Sequence, residues 1–140
     1  MLLLMPHVDH NQQPPTMEIQ KQFKNPPGVD AADVVGEPPQ QPLVLLLGCG
    51  AAHAQIDFMS LPAQFRRNQA ALVVAPIAEL LADDAPEIAR IFIETIAAGN
   101  GTARPAGEVL LETKRKLLAE GRLAGLMLLA AGDASWLLAG

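Results

Sequence analysis

The stretch LVLLLGCG at positions 43–50 decides the fold of this chain, because it has the pattern of a strand buried inside a parallel sheet. Its five consecutive apolar residues are bounded by Pro42 and Gly48. Strands that are covered on both faces consist of such continuous apolar runs. The chain's only cysteine, Cys49, follows at once. Open α/β sheets bind ligands just beyond the carboxyl ends of their strands, so Cys49 is the first candidate functional residue.

A second apolar run, LLLM at positions 2–5, ends in the same way on Pro6 and His7. If the two runs form neighbouring parallel strands, they bring an imidazole and a thiol to the same edge of one sheet. This is the arrangement of a cysteine nucleophile and its base. The sequence therefore predicts that His7 and Cys49 act together.

The rest of the chain alternates between strand and helix patterns, which predicts an α/β fold: a three-layer α/β/α sandwich with a mostly parallel sheet. The Trp136 region and the leucine-rich C-terminus are predicted to be core. Predicted strands cover 2–5, 43–47, 71–75 and 126–130; predicted helices cover 60–69, a segment from about Pro86 to Gly99, and 108–120 with Gly121 as its end signal.

Residues 11–42 form a proline-rich insert that holds seven of the twelve prolines. Within it, Met17-Glu18-Ile19 alternates in the manner of an edge strand or a hairpin arm. Long connections of this kind in a small domain are usually functional when they are ordered. We interpret 1–140 as one domain that carries this insert.

The composition excludes several classes of function. The net charge is −5 and the ten Lys and Arg are scattered, which argues against a nucleic-acid partner. No apolar run approaches the roughly 20 residues of a membrane span, so no membrane partner is expected. A single cysteine excludes an internal disulfide and suits a reducing, cytoplasmic location, and the N-terminus lacks the basic flank of a signal peptide. The sequence predicts no cofactor, and the predicted pair of His7 and Cys49 acts without a metal.

The segments LLLMPH, LLLGCG, SLPAQFRRNQAALVVAPI and AAGDASWLL, in this order, resemble the C-terminal part of bacterial CHAT domains, which are caspase-like cysteine peptidases related to separases and caspases. The resemblance covers nearly the whole chain apart from the insert. It implies a caspase-like sandwich that is incomplete at its N-terminus, with strand 2–5 at an exposed edge. It also implies that His7 is the catalytic histidine and Cys49 the nucleophile, at a spacing close to the roughly 50 residues found in caspases.

By this resemblance the protein is an endopeptidase that cleaves peptide bonds of protein substrates with a Cys–His dyad. It would act as an effector coupled to a regulatory domain or partner protein. The oxyanion donors would be the backbone N–H groups of Cys49 and Val8. Val8 replaces the usual glycine, and its stiff β-branched side chain predicts a weaker oxyanion hole. Leu47 stands where Arg/Lys-specific relatives carry an acid, which favours a small or apolar P1 residue.

Two other functions are open at this point. The domain is a catalytically weak interaction module if Val8 disables the oxyanion hole. It is a metal-stabilised binding domain if His7, Cys49 and two further histidines, His10 and His53, converge on zinc, since all four are suitable ligand types. Asp9 either orients a histidine or is a solvated carboxylate. The isolated chain is expected to be poorly soluble, self-associated or inactive if its sheet lacks strands.

Overall fold

The computed structural model describes residues 1–4, 7–9, 16–18, 28–29, 41–48, 61–81 and 83–138. The helices in these ranges are α1 (Leu61–Arg67), α2 (Asp84–Ala97), α3 (Ala106–Ala119) and α4 (Ala124–Met127). No helix within these ranges combines the length and the apolarity that crossing a membrane requires. The strands are β1 (Leu2–Leu4), β2 (His7–Asp9), β3 (Thr16–Glu18), β4 (Gly28–Val29), β5 (Leu43–Leu46), β6 (Leu72–Pro76), β7 (Arg104–Pro105), β8 (Leu128–Gly132) and β9 (Leu137–Leu138).

The main sheet has the strand order β1-β5-β6-β8. Strand β5 is parallel to both β1 and β6, whereas β8 is antiparallel to β6. The prediction of an α/β fold with a mostly parallel sheet is therefore confirmed. The prediction that the first two apolar runs form neighbouring strands is also confirmed, and β1 lies at one end of the strand order.

Helices cover both faces of this sheet. The side chains of β5 alternate between two separate apolar clusters, one on each face. Leu43 and Leu45 belong to one cluster and Val44 and Leu46 to the other, and all four are at most 1 % exposed. The first cluster is completed mainly by α2 and α3, and the second by α1. The helical residues involved are Ile88, Ile91, Phe92, Val109 and Leu117 on the first face, and Leu61 and Phe65 on the second.

The helix boundaries follow local signals in the sequence. Helix α2 begins at Asp84, two residues before Pro86, so the proline occupies the first turn, where its missing N–H leaves no hydrogen bond unmade. Helix α3 begins at Ala106, slightly earlier than predicted, and its end is followed by Gly121 with φ of +76°. A positive φ favours glycine, which explains why this helix ends there.

The predicted fourth strand at 126–130 is wrong in its bounds. Residues Ala124–Met127 form the short helix α4, and the strand follows as Leu128–Gly132. Its direction also differs from its neighbours, because two helices rather than one connect β6 to β8. Helix α2 returns the chain to the amino edge of the sheet and α3 carries it back, so the chain enters β8 from the edge where β6 ends.

The C-terminal segment is core only in part: Leu128 is fully buried and Leu138 packs against the first apolar cluster, whereas the other leucines there are exposed, in contrast to the prediction from the sequence. Leu126 is 62 % exposed, Leu129 52 % and Leu137 61 %, while Trp136 is half-buried. Leu126 lies in the short helix α4, Leu129 in the end strand β8, Leu137 in β9 and Trp136 just before β9, all at the margin of the fold. Trp136 borders an open apolar cavity of about 440 Å³ near the amino end of β1, together with Met1, Ile93, Ile96, Ala97, Leu137 and Leu138.

The described part of the proline-rich insert contributes to a second, antiparallel sheet of order β2-β3-β4. Val8 pairs with Met17, and Met17 pairs in turn with Val29. The prediction of a hairpin arm around Met17 is confirmed, although β3 is the central strand of this sheet and not its edge. The remaining pair of strands, β7 and β9, is a two-stranded antiparallel ribbon beside α3.

Candidate active site

The candidate site is defined by the carboxyl edge of the main sheet, where β1, β5 and β6 all end. In the parallel register of β1 and β5, Leu4 lies opposite Leu46. His7 and Cys49 therefore follow these two partners by the same number of residues in the sequence. Because parallel strands end at one edge, both connections leave the sheet side by side.

Strand β5 provides a rigid support up to the residue before the cysteine. Its four residues are buried, and Leu47 and Gly48 beyond it are buried as well. The buried Gly48 is therefore the last described residue before the cysteine. Cys49 itself lies outside the described residues, as do His10 and His53 of the alternative zinc site.

The structure places His7 as the first residue of β2, with Glu18 of β3 as its Cα partner. The histidine thus belongs to the second sheet immediately after β1 ends. Val8 is the next residue of that strand, in the extended backbone that β-branched residues favour, and Asp9 lies opposite Thr16. The alternation around Met17 predicted β3, but the β2 segment HVD is too short for its pairing to be predicted.

Two interactions that the sequence did not reveal fix the connection that leaves β6 at the same edge. The N–H of Ile77 donates to the carbonyl oxygen of Met127 at 2.9 Å. At the start of α2, the carboxylate oxygen Oδ1 of Asp84 lies 3.2 Å from Nη1 of Arg122, which precedes α4. The segments after β6 and before β8 are therefore held together at two points, next to the end of β6.

The carboxylates whose pKa values are lowered are explained by structural contacts rather than by catalysis. Hydrogen bonding to Arg90 holds the pKa of Glu87 below its ordinary value. Lys116 and then Arg104 lower the pKa of Glu112, and hydrogen bonds from Ser135 lower that of Asp133. Asp133 follows β8 at the amino edge of the sheet, away from the candidate site. Within the described ranges, no group of three or more His, Cys, Asp or Glu side chains is arranged to hold a metal ion.

Comparison of the chain with protein-family models, with curated proteins and with solved structures finds no significant match.

Proposed function

We propose that the protein is a caspase-like cysteine endopeptidase domain in which Cys49 is the nucleophile and His7 its base. The observation that carries this proposal is the parallel pairing of β1 with β5, with Leu4 opposite Leu46. This pairing supports the proposal because the histidine and the cysteine then leave the same edge of the sheet, at equal distances along the sequence from paired residues.

The chemistry of this pair requires both residues. A free cysteine has a pKa near 8.5, so only a few per cent is thiolate at neutral pH. The His7 imidazole accepts the thiol proton, and the Cys49 sulfur forms a bond to the carbonyl carbon of the substrate peptide. The C–N bond then breaks as the imidazolium returns its proton to the leaving amine, which yields an acyl-enzyme. Water, activated by the neutral imidazole, cleaves the thioester and restores the thiol.

The buried end of β5 suits this reaction, because a nucleophile attached to a rigid strand loses little freedom when the substrate binds. The backbone N–H groups of Cys49 and Val8 are the proposed oxyanion donors. An effector role, regulated by another domain or by a partner protein, belongs to the same proposal and rests on the resemblance to CHAT domains.

The position of Val8 inside β2 favours a second candidate, a caspase-like interaction module with weak catalysis. A valine held in a strand opposite Met17 has less freedom to turn its N–H toward an oxyanion than a glycine has. In this case the same surface binds a polypeptide segment without efficient cleavage.

The experiment that separates these candidates measures the rate at which iodoacetamide alkylates Cys49 as a function of pH. In the peptidase, we expect the wild-type rate at pH 7 to exceed that of His7→Ala by about ten-fold, since the imidazole increases the thiolate fraction. His10→Ala and His53→Ala are the matched controls and should alkylate like the wild type. Cys49→Ala provides the blank. Equal rates for wild type and His7→Ala would refute the dyad.

A second measurement tests turnover. Wild-type protein should release acid-soluble peptides from denatured casein, and Cys49→Ala should abolish this release while its circular dichroism stays unchanged. A reactive Cys49 without any cleavage would favour the interaction module.

A further inference from the structure

The register of the second sheet separates polar from apolar positions. Val8 pairs with Met17, and Met17 pairs with Val29, so these three apolar residues share one face of the strands β2, β3 and β4. Because successive residues of a strand alternate between faces, the described residues that flank them belong to the opposite face. This second face, called the polar face below, holds His7, Asp9, Thr16, Glu18 and Gly28.

His7 and Glu18 are direct neighbours on the polar face, because they are Cα partners across β2 and β3. The Cβ atoms of such partners are about 4.5–5.5 Å apart, a distance at which opposite charges attract. Asp9 is the other ionisable residue among these five. It lies two residues from His7 along the same strand, which is about 7 Å, and its own partner is Thr16. The register therefore places Glu18 nearer to His7 than Asp9.

The polar and apolar pattern itself supports this register. A slip of one residue between β2 and β3 would put Met17 opposite His7 and would mix apolar with polar positions on both faces. Glu18 also belongs to the proline-rich insert at 11–42, and a long connection in a small domain is usually functional when it is ordered. The insert thus returns a carboxylate to the strand that begins with the candidate base.

We propose that Glu18 is the positioning residue of His7, through the direct pairing of these two residues across β2 and β3. The inference rests on the proposed function, to which it adds a third residue. An imidazole that donates one ring N–H to a carboxylate is held in one tautomer and one orientation, and its other nitrogen is left to accept a proton. Glu18 itself gains no proton: the proton from the Cys49 thiol stays on His7 until it passes to the leaving amine.

The first test measures the ionisation of His7 by NMR titration of the full chain with Cys49→Ala, which removes the thiol from the measurement. The chain has three histidines, and His7→Gln identifies the resonance. Glu18→Gln should lower the pKa of His7 by about one unit, because it removes the negative charge that favours the imidazolium. Asp9→Asn removes the same charge from the same face and is the matched control, with an expected shift less than half as large. No shift in Glu18→Gln, or equal shifts in the two variants, would overturn the proposal.

The second test asks whether the pairing matters for Cys49. Glu18→Gln should slow the alkylation of Cys49 by iodoacetamide at pH 7 by about three-fold or more, and Glu18→Asp should recover part of this loss. In a His7→Ala background, Glu18→Gln should change nothing, since a positioning residue acts only through the histidine. All variants should keep the wild-type circular dichroism. Equal slowing in both backgrounds, or a Glu18→Gln protein as fast as the wild type while His7→Ala is slow, would refute the positioning role.

The two tests also distinguish a failure of this inference from a failure of the proposed peptidase. If the wild type and His7→Ala alkylate at the same rate, the dyad is refuted, and the NMR titration still decides whether Glu18 pairs with His7. If His7 accelerates alkylation but its pKa does not respond to Glu18→Gln more than to Asp9→Asn, the dyad stands and the role of Glu18 is refuted.

Discussion

Lys116 Nζ donates a hydrogen bond to Thr95 Oγ1 at 3.1 Å and so connects α3 to α2 at the margin of their packed faces. The Thr95 side chain is fully buried, and its hydroxyl donates at the same time to the Ile91 carbonyl oxygen at 2.7 Å. One buried hydroxyl thereby satisfies a charged donor from the neighbouring helix and a backbone acceptor in its own.

This relationship predicts that Thr95→Val is destabilising by about 1–2 kcal/mol, because a hydrogen bond to a charged donor is lost along with the contact to Ile91. Thr113 is the matched control: it is equally buried and bonds in the same way to the Val109 carbonyl, but accepts nothing from a lysine in the described structure. Thr113→Val should cost about 0.5–1 kcal/mol in urea unfolding. Equal losses in the two variants would mean that the Lys116 contact adds no stability.

Gly132 should be the glycine least tolerant of substitution among those described. Its φ is +126°, and a Cβ atom added there would lie 2.5 Å from the Ala71 carbonyl oxygen and 3.0 Å from Arg66 Cδ. Since both the backbone conformation and the space forbid a side chain, we expect Gly132→Ala to lower the free energy of unfolding by about 3 kcal/mol or more.

The control for Gly132→Ala is Gly121→Ala, where φ is +76° but no atom lies within 4 Å of the added Cβ. This variant should lose only about 1 kcal/mol, the cost of the backbone conformation alone. Guanidinium unfolding of both proteins at low concentration gives the comparison. Similar losses would show that the contact with Ala71 relaxes without cost.

The stability contributed by Glu112 should disappear in acid. Its carboxylate lies 2.9 Å from Lys116 Nζ and 2.8 Å from Arg104 Nη2, and these hydrogen bonds hold its pKa below the ordinary value of 4.5. A carboxylate whose pKa is lower in the folded chain stabilises the fold above the unfolded pKa, and this contribution is lost as the pH falls through the folded pKa.

Urea unfolding of wild type and Glu112→Gln should therefore differ at pH 6 and converge as the pH falls below about 4.5 toward 3. Raising the salt concentration at pH 6 should reduce the difference, because these groups are largely solvent-accessible. A difference between the two proteins that stays constant from pH 6 to 3 would show that the ion pairs do not stabilise the fold.

If Val8 limits the oxyanion hole, Val8→Gly should accelerate acylation of Cys49 by p-nitrophenyl acetate by about ten-fold, the effect of a modestly better aligned donor. Val8→Ala removes the β-branch but not the restriction on φ, so it should stay within about two-fold of the wild type. The alkylation rate by iodoacetamide, which forms no oxyanion, should be unchanged in both. A Gly variant no faster than the Ala variant would remove Val8 from the oxyanion hole.

The central strands could be predicted from the sequence because a strand with cover on both faces needs apolar residues at every position. The run at 43–47 and the run at 71–75 each match a buried strand for this reason. The end of a helix was predictable where a glycine adopts the positive φ that follows the last turn, as Gly121 does after α3. The order of β1 beside β5 followed from the same runs, and with it the common edge on which His7 and Cys49 are expected.

Other features are not encoded in local patterns. An apolar run contains no information about strand direction, so the antiparallel orientation of β8 depends on the number of helices that precede it. The segment HVD at 7–9 holds one aliphatic residue and gives no periodicity from which β2 could be predicted. Trp136 is a residue type typical of a core, yet it is only half-buried because it lies in the connection between β8 and β9, at the margin of the fold. The pairing of His7 with Cys49 stays a prediction.

The antiparallel orientation of β8 affects which parts of this chain are able to change in sequence and length during evolution. In a fully parallel sheet, the connection into the fourth strand would arrive at the amino edge, far from the ends of β1 and β5. Here residues 122–127 arrive at the carboxyl edge instead, beside the end of β6, and are anchored there through Met127 to Ile77. Insertions or deletions at the exposed Leu123, ahead of the buried Ala124, would therefore change one end of the edge that holds the candidate dyad.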